Sequence, residues 1–270
     1  MSREIHYDKP FYWWGPGWGA RPELRLADLL RDGTLDSWQG AWLWAALARR
    51  TSLVVISEAS GAGKTTLLTA LLELLPPAIH RIYPRGSFES FAFLADPAVP
   101  PNETVLLVNE LSPHLPVYLW GAAVARLLDA VDCGFQVLAT AHAATAPQFI
   151  GMLTGSPLHL PAPRVAAFEL VVVLEASAKN ESGRRVGEIW WLQPARDGVV
   201  LTPFAPQLRN DISPENHVRP DDLNAVPIKT EEIQWRASIF DDLRDGRIER
   251  IPAADRLPNS DDPHEEGSAP

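Results

Sequence analysis

The chain has 270 residues, of which 46% are hydrophobic and 21% charged, and a formal net charge of -10. That is enough apolar material for one large or two small domains with a real core. The acidic balance argues against a generic nucleic-acid binder, whose affinity for phosphate backbones rests on Lys and Arg. Cys133 is the single cysteine, so no disulfide forms within the chain, as fits a reducing compartment. No apolar run reaches the roughly 18 residues of a membrane span. The start, "MSREIHYDKP", lacks the apolar stretch of a signal peptide. The expectation is a cytoplasmic protein.

Residues 1–22 form an arm rich in aromatics, glycine and proline; Trp13, Trp14 and Trp18 either dock on a partner or fold back over the chain's own core. "LRLADLLRD" (24–32) carries leucines at helical spacing and is stopped by Gly33. A second helix, capped by Thr34 or Asp36, runs to about Arg50, with Trp42, Trp44 and Leu47 as core residues. Strand and helix then alternate. Strands are expected at 52–57, 78–83, 103–110, 135–142 and 166–176, and helices at 64–75, 117–132 and 146–153. The strands are continuous apolar runs, as when both faces are buried, so the pattern predicts an α/β fold with a parallel sheet and helices on both faces. "RVGEIWWLQP" (185–194) and "GVVLTPF" (198–204) read as an antiparallel edge hairpin. This gives a domain over 23–204. Residues 205–270 are an acidic, proline-rich extension with one weak helical pattern at 230–246 and a solvated last dozen residues.

The chemistry-bearing stretch is "ISEASGAGKTTLL" (56–68). It places a glycine-containing turn and Lys-Thr between a strand and a helix, which is the plan of a phosphate-binding loop. Ser60, Gly61, Ala62, Gly63, Lys64, Thr65 and Thr66 are the candidate binding residues. Backbone N–H groups turned inward would cradle the phosphates, and the helix would present its positive end to them. Lys64 would neutralise the β- and γ-phosphates, and the Thr65 hydroxyl would ligate Mg²⁺. Glu58 stands where the pattern has its first glycine, and its carboxylate is tolerated only if it points away from the anion. "TVLLVNEL" ends a buried strand with Glu110, which would hold the metal or orient a water. "LATAHAAT" ends the next with His142, placed to sense a γ-phosphate.

Taken in order, these three segments resemble the secretion-superfamily ATPases, the motors of type II and type IV secretion and of type IV and tight-adherence pili. The likeness runs from about Leu26 to Leu192. "TVLLVNEL" sits where that family has its Walker B segment, "LATAHAATAPQFIGML" is similar to its histidine box, and "GRRVGEIWWL" to its closing strands. The resemblance implies a P-loop NTPase (RecA-like) fold, ATP and Mg²⁺ as ligands, and a homo-oligomer, a hexamer. It also implies partners among inner-membrane platform or pilus and secretion components. The chain departs from the family at Glu58, at Asn109 in place of the Walker B glycine, and at Leu111-Ser112-Pro113, where an arginine is missing. It departs again at Pro84-Arg85-Gly86-Ser87, where an acidic box belongs and only Glu89 is near. Groups for ground-state binding survive better than groups for the transition state, which favours nucleotide binding with slow or partner-dependent turnover. A non-hydrolysing regulatory or scaffold subunit is the alternative.

Overall fold

A computed structural model describes residues 24–179, 181–203 and 228–252. In chain order the elements are α1 (Leu26–Asp32), α2 (Ser37–Ala48), β1 (Leu53–Ser57), α3 (Lys64–Leu71) and β2 (His80–Ile82), followed by β3 (Thr104–Leu111), α4 (Ala122–Asp132), β4 (Gln136–His142) and α5 (Ala146–Thr154). They end with α6 (Ala162–Val165), β5 (Leu170–Ala176), β6 (Arg184–Ala195), β7 (Gly198–Pro203) and α7 (Thr230–Arg244). The seven strands form one sheet in the order β2-β3-β4-β1-β5-β6-β7. The first five named run parallel, and β6 and β7 join antiparallel. The fold is therefore mixed α/β with a mostly parallel sheet, as the alternation of strand and helix predicts. The aromatic arm and the last residues lie outside the described residues.

Period-two alternation splits the strands between two cores. Leu53 and Val55 of β1, with Val105 and Leu107 of β3, face α1, α2, α3 and α7. Val54, Ile56, Leu106 and Val108 face α4, α5 and the Phe91–Phe93 segment. The helices are shaped by their caps. Asp36 accepts the Gln39 backbone N–H at 2.8 Å while the Gln39 side chain accepts the Asp36 N–H at 3.1 Å, so α2 starts at Ser37. Helix α2 is buried nearly all round because the sheet lies on one side and α7 on the other; Trp44 and Leu47 are each 1% exposed. The weak helical pattern at 230–246 thus becomes α7, whose Ile233, Ala237, Phe240 and Leu243 belong to the core. Gly40 makes this docking possible, since a Cβ there would run into the Phe240 ring.

Three boundaries move for local reasons. The helix expected over 117–132 begins at Ala122, because Gly121 takes φ 67, ψ -139, outside helical space. The helix expected over 64–75 ends at Leu71 and tightens into a 3₁₀ turn over Leu72–Leu74 before Pro76-Pro77. The strand expected from 166 begins at Leu170, after a 3₁₀ turn over Ala166–Phe168. Among the described residues no helix is long and apolar enough to cross a membrane.

Candidate functional site

The site lies where β1, β3 and β4 end in the same direction. β1 leaves the sheet at Ser57, and the loop 58–63 returns the chain into α3 at Lys64. Gly61 and Gly63 hold φ of 74° and 88°, a left-handed backbone that only glycine adopts without strain. At Gly63 there is a second demand: a Cβ would collide with the Arg184 guanidinium, which packs over the loop from the start of β6. Glu58 makes no such demand. It is exposed, and it is not among the non-glycine residues with positive φ. A carboxylate at the loop entrance is therefore accommodated by pointing into water, with no backbone strain.

Lys64 opens α3 with Gly63 as its N-cap residue, and it is only 5% exposed. Burial lowers its pKa, and the nearby Glu110 carboxylate acts in the opposite direction. Thr65 and Thr66 follow half-buried on the first turn of α3, while Ser60 is exposed and Ala62 half-buried in the loop.

β3 is not the direct neighbour of β1; β4 lies between them. Glu110 reaches the site through a bulge. Val108 pairs with Ala139 but Leu111 with Ala141, so Asn109 and Glu110 together oppose Thr140. The Thr140 hydroxyl donates to the Asn109 carbonyl and holds the bulge. The alternation resets there: Leu111 joins Leu106 and Val108 on one face, which strict period two forbids. Bulges re-aim side chains, and this one sits where a strand's regular pairing stops. The Leu119 N–H then donates to the Glu110 carbonyl at 2.9 Å, which ties down the loop beyond β3.

His142 ends β4, paired in register with Ser57 of β1. Its Nε2 lies 3.4 Å from Glu110 Oε1, a buried oxygen without a hydrogen bond. His114 completes the group: its ring meets that of His142 with centroids 5.8 Å apart at 64°. Tyr118 borders Glu110 as well, and burial, reinforced by that carboxylate, raises its pKa. The fold thus brings Lys64, Glu110 and His142 together from three elements. Sequence reasoning missed His114, Tyr118 and Arg184. A histidine four residues past Glu110 was a visible signal for the first. Arg184 had none, since 120 residues of chain separate it from the loop it covers.

Arg184 is itself positioned. The Asp32 carboxylate accepts from the Ser182 and Thr34 hydroxyls, and its charge interacts with Arg184. Burial works to raise the Asp32 pKa, but these partners hold it below the ordinary value.

No family model matches the chain. It is similar to an uncharacterized protein of Methanocaldococcus jannaschii, with 28% identity over 55% of this chain and 30% of the relative. Among solved structures it is similar to the VirB11 ATPase of the Brucella suis type IV secretion system in complex with sulphate. There the identity is 17%, the TM-score is 0.38, and the match covers 55% of this chain and 50% of that one. The chain therefore spans under a third of the curated relative and half of the solved structure, and matches of this extent assign it no activity.

Proposed function

We propose that the chain binds a nucleoside triphosphate, ATP, together with Mg²⁺ through Ser60–Thr66, in the loop after β1 and the first turn of α3, and hydrolyses it slowly or only with a partner. The observation that carries this reading is Lys64: a buried ammonium at the first position of a helix, after two left-handed glycines, with the charge of the β3 carboxylate Glu110 acting on it. A buried cation placed where backbone N–H groups and a helix start converge is suited to a bound phosphate group. Arg184 adds a second cation over the same loop, from within the same chain. It would partly replace the arginine missing after Glu110.

The donors suit Mg²⁺ in kind, since Thr65 and the unbonded Glu110 oxygen are hard oxygen ligands. Thr65 would hold the ion and Glu110 would reach it directly or through water; Mg²⁺ would supply charge neutralisation between the β- and γ-phosphates. Glu110 would orient the water, and His142 would sense the terminal phosphate. The reading of a motor subunit in a hexamer, or of a non-hydrolysing scaffold in a secretion or pilus machine, rests on the family resemblance. Titration with a fluorescent ATP analogue, paired with phosphate-release measurements, tests the proposal. Binding with release supports an ATPase, binding without release supports the scaffold, and no binding at millimolar Mg-ATP overturns both.

A further inference from the structure

Glu110, His114 and His142 meet in a way that nucleotide binding does not require. Each offers one ligand atom, and the three atoms lie within 4.8 Å of one another. They come from the bulged end of β3, from the loop after it and from the end of β4, so the group is assembled by the fold and not by one helix turn. The 3.4 Å between His142 Nε2 and Glu110 Oε1 is the second observation. The carboxylate oxygen is buried and makes no hydrogen bond, although an imidazole stands at that distance. Two ligands of a tetrahedral ion with bonds of about 2.0–2.1 Å are held about 3.3 Å apart. The His114 and His142 rings meet edge to face, with centroids 5.8 Å apart. His114 is exposed, and its backbone N–H donates to the buried Ser112 hydroxyl at 3.2 Å, which ties the loop that carries it to the end of β3.

We infer that Glu110, His114 and His142 bind a first-row transition ion of the Zn²⁺ class, with one position left open. Two imidazoles and one carboxylate select such an ion over Mg²⁺, which asks for oxygen donors in an octahedron. The site goes beyond the proposed nucleotide function and needs no nucleotide. Because it uses Glu110, an ion bound there withdraws that carboxylate from any role in hydrolysis.

The test uses the nucleotide-free full chain, with Zn²⁺ measured by calorimetry and Co²⁺ by its visible spectrum. One ion per chain is expected, with an intense low-symmetry Co²⁺ band and little competition from millimolar Mg²⁺. His114→Ala, an exposed position whose loss leaves folding intact, is expected to weaken binding at least ten-fold, the lower end of what even a supporting partner of a ligand costs. His142→Ala is expected to do the same, whereas His80→Ala, His159→Ala and Cys133→Ser leave it unchanged. Lys64→Ala keeps the ion while losing nucleotide, so the two readings fail separately. Affinity indifferent to both His114→Ala and His142→Ala, no binding at 100 micromolar Zn²⁺ or Co²⁺, or displacement of Zn²⁺ by equimolar Mg²⁺ each overturns the inference.

Discussion

Two buried cations show how differently the same cost is met in two parts of this molecule. Arg236, 1% exposed on α7, is bonded within its own layer: Nε and Nη2 donate to Glu232 Oε1 at 3.1 and 3.0 Å, and the guanidinium lies over Trp44, 4.2 Å from the ring centroid. Glu232 in turn receives Arg49 at 3.0 and 2.7 Å. Lys64, at the sheet's carboxyl edge, is nearly as buried, but among the described residues only the charge of Glu110 compensates it. A buried charge that is hydrogen-bonded on arrival is part of the architecture, and one whose counter-charge it does not bond is available to a ligand. The helical cation is held by two hydrogen bonds to a carboxylate, although its Nη1 is buried without one, whereas the strand-end cation bonds no carboxylate among the described residues.

The sharpest way to break this comparison is Lys64→Ala. Nucleotide binding is expected to vanish, with no fluorescence change on titrating a labelled ATP, while the melting temperature stays level or rises because a poorly compensated charge has gone. Unchanged ATP affinity refutes the functional half of the contrast. Next in size is the structural cation: Arg236→Ala leaves Glu232 with Arg49 alone and opens space against Trp44, and urea denaturation should show a loss of about 3 kcal/mol. A comparable loss of about 3–4 kcal/mol is expected for Phe240→Ala, which empties the seat over Gly40. Neither α7 change should alter nucleotide affinity by more than about two-fold, since distant sites act independently.

Glu110→Gln refines the edge itself. Analogue affinity should hold within about three-fold, while any phosphate release disappears, a loss of at least ten-fold for removal of a water-orienting group. Undiminished turnover excludes Glu110 from the chemistry. The smallest effect concerns pH. Burial opposes it, but bonds from Arg49 and Arg236 hold the Glu232 pKa below its ordinary 4.5. A depressed carboxylate contributes stability that is present above the unfolded value and is lost as pH falls through the folded one. Thermal melts should therefore decline below about pH 4.5, and Glu232→Gln should flatten that limb. Glu169 works the other way, since burial raises its pKa against the bond from the Ser52 N–H, so its ionisation in the folded chain is a cost that remains in the variant.

The parts legible in the sequence were those set by local patterns. Continuous apolar runs gave β1, β3 and β4, because strands buried on both faces are mostly apolar, with the few buried polar residues near their ends. Glycine and lysine spacing gave the loop, because a left-handed backbone restricts residue choice whatever surrounds it. The loop's entrance was legible only as a question about Glu58, since whether a side chain faces water is decided by neighbours and not by spacing. The helix at 230–246 looked weak because its mean composition is polar, and its apolar stripe gains value only once α2 is there to cover.

By itself, then, the sequence determined the alternation of strand and helix, the two glycines before Lys64, and the placement of Glu110 and His142 at strand ends. Only the tertiary structure decided that β4 separates β3 from β1, that a bulge turns Glu110 toward His142, and that Arg184 lies over Gly63. Strand order, register shifts and packing across 120 residues of chain depend on contacts between distant segments. Periodicity records which face of an element is buried, but not what buries it.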